Sequence, residues 1–278
     1  MTMNLSRQIV ARLVAVALIA AAPALSHVFV VPSDVSPTIP QAMLKAREGD
    51  TVLVKRGVYK GNVSVERGVA LVAESPFETV IEGKGRQTVV TLNGNSVVSG
   101  FEIRNGSVGV LSKGVDNAIT RCRIVRNWET GIVCVGHLPR IEDNVIAYNR
   151  ASGIQGYRVR ATVFPAIVHN TIAYNSNHGI SIGGLSDIGI DANIIAFNER
   201  FGVKTESGES MVKLNGNDVF GNALAGTGNS PGEVQADPAF VSARTLDFRL
   251  GEGSACSAQG ELQEDLGARF HPMPQTVK

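Results

Sequence analysis

Asparagine recurs through the middle of this chain at a nearly constant interval. Asn127, Asn149, Asn175, Asn198 and Asn222 are separated by 22, 26, 23 and 24 residues, and Asn105 lies 22 before the first. A unit repeats around them. Ile119-Thr120-Arg121-Cys122-Arg123-Ile124-Val125-Arg126-Asn127 leads to Gly131-Ile132, and Ile141 through Asn149 leads to Gly153-Ile154. Ile167 through Asn175 leads to Gly179-Ile180, Ile190 through Asn198 to Gly202-Val203, and a weaker copy runs from Leu214 to Gly226. A unit of this length, with short strands and Asn/Gly corners, cannot bury its apolar side alone. Stacked on its neighbours it completes a continuous core, as in a solenoid. Two apolar columns fit such stacking: Ile119, Ile141, Ile167, Ile190 and Leu214, and Ile124, Ile146, Ile172, Ile195 and Val219. The Leu density of a leucine-rich repeat is missing, and propeller repeats are nearly twice as long. The expected fold is therefore all-β, a single-stranded right-handed parallel β-helix of about eight coils.

A second Asn set, Asn144, Asn170, Asn193 and Asn217, falls once per coil at another corner. Asn tolerates the left-handed conformation of a tight corner, and stacked amides bond to their neighbours above and below. Both sets are read as structural. Composition agrees: 30 Gly in 278 residues and 5% aromatics suit tight corners and a narrow Ile/Val core. With 26 Lys+Arg against 25 Asp+Glu there is no basic stripe, so nucleic acid is not an expected partner. Cys122, Cys134 and Cys256 are odd in number and lack a C-x-x-C pair, which favours buried thiols over a disulfide framework or a metal site.

The ends differ from the repeats. Arg7 and Arg12 precede an apolar run, Leu13 to Ala22, followed by small residues at Ala24 and Ser26. This is the pattern of a secretory signal peptide over residues 1–26, and the run is too short to span a membrane. Its removal leaves 24 basic and 25 acidic residues, a net of −1. The expected product is an exported monomer, periplasmic or extracellular and not membrane-spanning. Thr38-Ile39-Pro40-Gln41 reads as a capping box opening a short amphipathic helix over 38–48, which ends at Gly49 and leads into a strand, Thr51–Lys55. The expected organisation is 27–50 for the N-terminal strand and capping helix, 51–227 for the coils, and 228–278 for a C-terminal capping segment and tail.

Thr38-Ile39-Pro40-Gln41-Ala42 through Gly49-Asp50-Thr51-Val52, then Gly57-Val58-Tyr59, resembles the opening segment of right-handed β-helix proteins of the pectin-lyase-like superfamily. The Asn-x-Ile-x-x-Asn-x-x-x-Gly-Ile coils resemble that superfamily's carbohydrate-binding and sugar-hydrolase repeats. Asp237-Pro238-Ala239-Phe240-Val241, with Asp247-Phe248-Arg249-Leu250, resembles an end segment of bacterial members. The resemblance covers roughly residues 28–270 and rests on scaffold motifs. It implies a protein that binds or acts on a polysaccharide, as a lyase or epimerase on uronate-containing glycans or as a glycoside hydrolase. The alternative is a non-catalytic scaffold for adhesion or envelope-protein maturation. The Asp clusters that hold Ca²⁺ in pectate lyases are absent from the sequence, and neither metal nor cofactor is expected.

On a solenoid, function belongs to outward columns and to loops that break the period. Counting from each Gly-Ile places Val133, Gln155, Ser181 and Lys204 in one outward column, and Val135, Tyr157, Gly183 and Glu206 in the next. His178 adjoins this face. The 26-residue coil carries an insertion with Arg158 and Arg160. Lyase or epimerase chemistry on a uronate needs a cation on the carboxylate, a base and an acid. Arg158 or Arg160 suits the first role, Lys204 or His178 the second and Tyr157 the third, with Gln155 and Ser181 as substrate-binding groups. A glycosidase would instead need two carboxylates, for which Glu206 with Asp187 or Glu209 is the nearest set. A solvated face with a local ion pair explains Lys204, Glu206 and Glu209 equally well.

Overall fold

A computed structural model describes residues 26–184, 186–205, 212–224, 234–258 and 265–269. It is a right-handed parallel β-helix in which each coil contributes one short strand to each of three sheets. Sheet A has nine strands, sheet B eight and sheet C seven, all parallel within their sheets. The columns expected from the repeat are the registers found. Ile119 pairs with Ile141, Ile141 with Ile167, Ile167 with Ile190 and Ile190 with Leu214 in sheet A. Ile124, Ile146, Ile172, Ile195 and Val219 align likewise in sheet B. The eight isoleucines among these are fully buried, each contributing roughly 1.5–3 kcal/mol of apolar transfer. Since side chains alternate along a strand, fixing these columns inward fixes which residues face out.

Two amide ladders run up the interior corners. Asn144 Nδ2 donates to Asn170 Oδ1, Asn170 to Asn193 and Asn193 to Asn217, each at 3.0 Å. The second ladder links Asn127, Asn149, Asn175, Asn198 and Asn222 at 2.9 to 3.0 Å. The left-handed residue at each corner is not the asparagine but the one before it. Asp143, His169 and Ala192 have φ of 56, 52 and 54°, Arg121 takes the same place before Cys122 with φ 51°, and Arg126, Tyr148, Tyr174 and Phe197 have φ of 56 to 57°. The amide is thus retained for its hydrogen bonds rather than for its conformational tolerance. Asn105 is displaced by one place from the expected series: it takes the left-handed position (φ 61°), and Gly106 N–H bonds to Asn127 Oδ1 in its stead.

At the N-terminus the helix covers Ile39–Met43, shorter than the span expected from the capping box. Ile39, Ala42 and Met43 are buried over the first coil, whereas Leu44 is 87% exposed. The chain then descends to Asp50, whose carboxylate accepts the N–H groups of His27 and Arg47, each at 2.8 Å. Those donors hold its pKa below the ordinary carboxylate value.

The C-terminal segment takes a place the periodicity does not announce. A bridge at Val234 extends the last coil, but the hairpin Phe240–Ser242/Asp247–Leu250 lies along the outside of sheet B. Phe248 packs with Val125, Val145, Ala147 and Ala173, and Leu266 with Ile194 and Ala196. Arg269 clamps the strap by donating to both oxygens of Asp143, at 2.7 and 2.9 Å. Asp143 therefore meets Arg269 as its ionic partner, and the outer face of sheet B is closed over these coils.

Candidate functional site

The strands of sheet C are Val63–Val65, Val90–Asn93, Val110–Lys113, Ile132–Leu138, Ile154–Ala161, Ile180–Gly184 and Val203–Thr205. None of the seven contains an Asp or Glu, while together they carry Lys113, Arg158, Arg160 and Lys204 as well as His137. Sheets A and B each include acidic residues, among them Glu142 and Asp191, and Glu82 and Glu102. Glu102 is buried and held between Arg104 and Arg123, and Arg104 also pairs with Glu82 at 3.4 Å, so both carboxylates already have cations.

The first outward column is as the sequence places it. Val133 pairs with Gln155, Gln155 with Ser181 and Ser181 with Lys204. At about 4.8 Å per coil, Gln155 and Lys204 are roughly 10 Å apart along the axis. Gln155 and Lys204 are half-buried, and Ser181 between them is buried.

The second column departs from expectation after Tyr157. Lys113, Val135 and Tyr157 align, but the register to the next coil shifts, Gly156 facing Ile182 and Val159 facing Gly184. Tyr157 and Arg158 therefore form a bulge with no partners on that side, and Gly183 is not opposite Tyr157. Arg158 is left-handed (φ 47°). The extra residue puts Tyr157, Arg158 and Arg160 all on the exposed side of a strand that buries Gly156 and Val159. Arg160 stands opposite His137. Tyr157 and Val135, side by side, are 48% and 47% exposed.

His178 occupies the turn before the third of these coils and is buried at 6% exposure. Its Nδ1 accepts the Phe201 N–H at 3.2 Å, and its ring stacks on Phe201 with centroids 5.4 Å apart. Burial lowers its pKa first, and the nearby cations of Lys204 and Arg200 lower it further. Asp187 is exposed and ion-paired with Lys213 at 2.8 Å. Glu206 and Glu209 lie outside the described residues, so the carboxylate-pair set is represented only by Asp187. Sequence reasoning missed Lys113 and His137, whose places follow from the same alternation, and Trp128, which lies in a turn rather than a strand.

The family described as "Periplasmic copper-binding protein (NosD)" matches residues 47–234. The chain belongs to the NosD family. That match spans the coils that carry Trp128, Tyr157, His178 and Lys204. No curated protein matches the sequence. Among solved structures, pectate lyase Pel9A aligns over 89% of this chain and 97% of its own, with a TM-score of 0.58 and 13% identity. That likeness is one of fold. The PL6 family alginate lyase AlyGC is 13% identical with a TM-score of 0.44, over 69% of this chain and 39% of that one. The A-module of mannuronan C-5 epimerase AlgE6 from Azotobacter vinelandii is 15% identical with a TM-score of 0.42, over 67% and 72%. No helix among the described residues is long and apolar enough to cross a membrane.

Proposed function

We propose that the protein is an exported, monomeric β-helix that binds an anionic, uronate-containing polysaccharide on sheet C. The observation that carries this reading is the charge asymmetry: four cations and no carboxylate in seven strands, beside an exposed tyrosine raised on a bulge. Arg158 and Arg160 neutralise sugar carboxylates, and guanidinium suits that task because its planar fork matches a carboxylate. Tyr157 supplies an apolar ring face, Gln155 a polar contact and Lys204 a further cation along the polymer, whereas Ser181, expected from its column to bind substrate, is buried and out of its reach.

Binding is favoured over catalysis by the state of His178. A neutral imidazole has one donor and one acceptor. With Nδ1 accepting from Phe201, the proton resides on Nε2 and the ring has no free lone pair with which to act as base. Within a lyase or epimerase mechanism, Lys204 is then the remaining base, with Tyr157 as acid. The family's description names copper, and the residues do not fit that ion. Among the described residues no three His, Cys, Asp or Glu side chains gather as ligands. Burial pushes the Cys122 thiol up to about 12, away from the thiolate a soft metal takes. No step is assigned to a metal.

The test is binding of the purified chain to polygalacturonate, alginate and a neutral glucan. Affinity for the uronates should fall at least about tenfold on R158A/R160A and decline with salt. Equal affinity for the neutral glucan, or no effect of the double variant, removes sheet C as the binding face. Incubation with the same polymers, followed by ultraviolet absorbance of unsaturated ends, separates a lyase from a binding protein.

A further inference from the structure

The chain's single tryptophan lies outside the face just described. Trp128 is 53% exposed in the turn that leads from sheet B into sheet C. Its N–H bonds to Gly106 O at 2.8 Å, and Arg150 N–H bonds to Asn127 O at 3.0 Å. Turn positions thus stack coil on coil, with Ser107, Trp128, Arg150, Ser176 and Glu199 in one column. The Arg150 guanidinium sits 3.9 Å from the indole centroid, and this cation–π contact holds the ring in place. On the other side the neighbouring coil offers Ser107, whose side chain is too short to cover an indole.

Two exposed aromatic rings thus lie at different places across adjacent coils of sheet C. Trp128 stands where the strands enter the sheet, and Tyr157 where its strand bulges out. Arg150, the turn partner of Trp128, and Tyr157 are seven residues apart, at most about 25 Å. Between the two rings lie the outward Val133 and Gln155. Along the axis the pattern is different. The column Thr91, Leu111, Val133, Gln155, Ser181 and Lys204 contains no aromatic residue, and Tyr157 is the one aromatic in the column of Asn93, Lys113 and Val135. A polymer lying along the axis meets a single ring, whereas one lying across it meets two.

We infer that the glycan crosses sheet C transverse to the solenoid axis, with one sugar stacked on Trp128 and another on Tyr157. This rests on the binding reading above and adds to it a second subsite and a direction. A pyranose presents C–H bonds of slight positive charge, which complement the negative π-face of an aromatic ring. The cations Arg158 and Arg160 at the Tyr157 end set where the carboxylates fall.

The lone tryptophan makes the test direct. The full chain is titrated with size-graded oligouronates from polygalacturonate and alginate, following tryptophan emission and heat in parallel. Emission should change with the same dissociation constant as the heat. Affinity should rise with oligomer length until both rings are reached, and W128A and Y157A should each weaken binding about tenfold. Both side chains are exposed, so an unchanged circular dichroism spectrum verifies the fold of each variant. If heat shows binding that Y157A weakens while emission is silent and W128A matches wild type, the transverse path is overturned and the sheet C reading stands. If no oligouronate gives heat or emission change, both fall together.

Discussion

Truncating one rung of the inner amide ladder, Asn175→Ala, tests whether the recurring asparagines hold the coils together. Asn175 is fully buried. Its Oδ1 accepts both the N–H of Asn149, at 3.1 Å, and its Nδ2, at 3.0 Å. Its own Nδ2 donates to Asn198 Oδ1 and to Ile146 O, each at 3.0 Å. Alanine leaves the Asn149 backbone N–H without its partner, takes one of the two bonds of Asn149 Nδ2, which keeps Ile124 O at 3.1 Å, and removes a bond to the Ile146 carbonyl, while Asn198 Oδ1 keeps the backbone N–H of residue 175. An orphaned buried group costs about 1–3 kcal/mol and each further lost bond about 0.5–1.5 kcal/mol, so one orphan and three lost bonds, with some relaxation, give a loss of about 3–6 kcal/mol. Against a typical stability of about 5–15 kcal/mol this is severe. The terminal rung provides the control. Asn222→Ala orphans Asn198 groups near the end of the stack, where water has readier access, so its effect should be smaller. Urea unfolding followed by circular dichroism, with amide exchange of neighbouring coils, measures both, since repeat arrays need not unfold in one step. A loss under about 1 kcal/mol for Asn175→Ala, or an equal loss for Asn222→Ala, would refute the ladder as a major stabilising element.

Two further outcomes follow from close packing and from a buried acid. Gly153→Ala should destabilise by about 1–3 kcal/mol, because a Cβ there would meet Gly179 O and Ile172 Cγ2, each at 2.7 Å; thermal melting checks it, and an unchanged midpoint would contradict the geometry. Asp218 is fully buried under the strap beside Cys256 and accepts the Ala236 N–H at 3.1 Å; burial raises its pKa from 3.8 to about 6. The folded state then binds more protons than the unfolded state between about pH 4 and 6, so this group's contribution to stability falls as pH rises through that window. Asp218→Asn keeps an acceptor without the charge and should stabilise the protein at pH 7 by up to roughly 3 kcal/mol. Urea midpoints at pH 4 and pH 7 would show this, and a variant no more stable at pH 7 would argue against a buried, ionised Asp218.

Most of the scaffold was legible because a solenoid repeats its physics at a fixed interval. The Ile columns and the amide ladders follow from spacing, and the outward places of Gln155 and Lys204 follow from alternation off each Gly-Ile. Even the closure of sheet B had a signal. Val145-Ile146-Ala147, Thr171-Ile172-Ala173 and Ile194-Ile195-Ala196 are buried at all three positions, and strands covered on both faces read as continuous apolar runs.

Local pattern could not say what does the covering. The bond from Ala268 N–H to Thr171 Oγ1 and the pair of Arg269 with Asp143 span 97 and 126 residues, beyond the reach of any period. The bulge that lifts Tyr157 and Arg158, and the Phe201 bond that occupies the imidazole of His178, reach only to an adjacent coil, yet each occurs at a single place in the stack. Spacing thus determined the architecture, because neighbouring coils must satisfy the same contacts repeatedly. The tertiary structure alone decided where the C-terminal strap lies, which cations gather on strands that, among the described residues, carry no carboxylate, and which candidate side chain is already engaged. Those are single events, and a repeat carries no record of them.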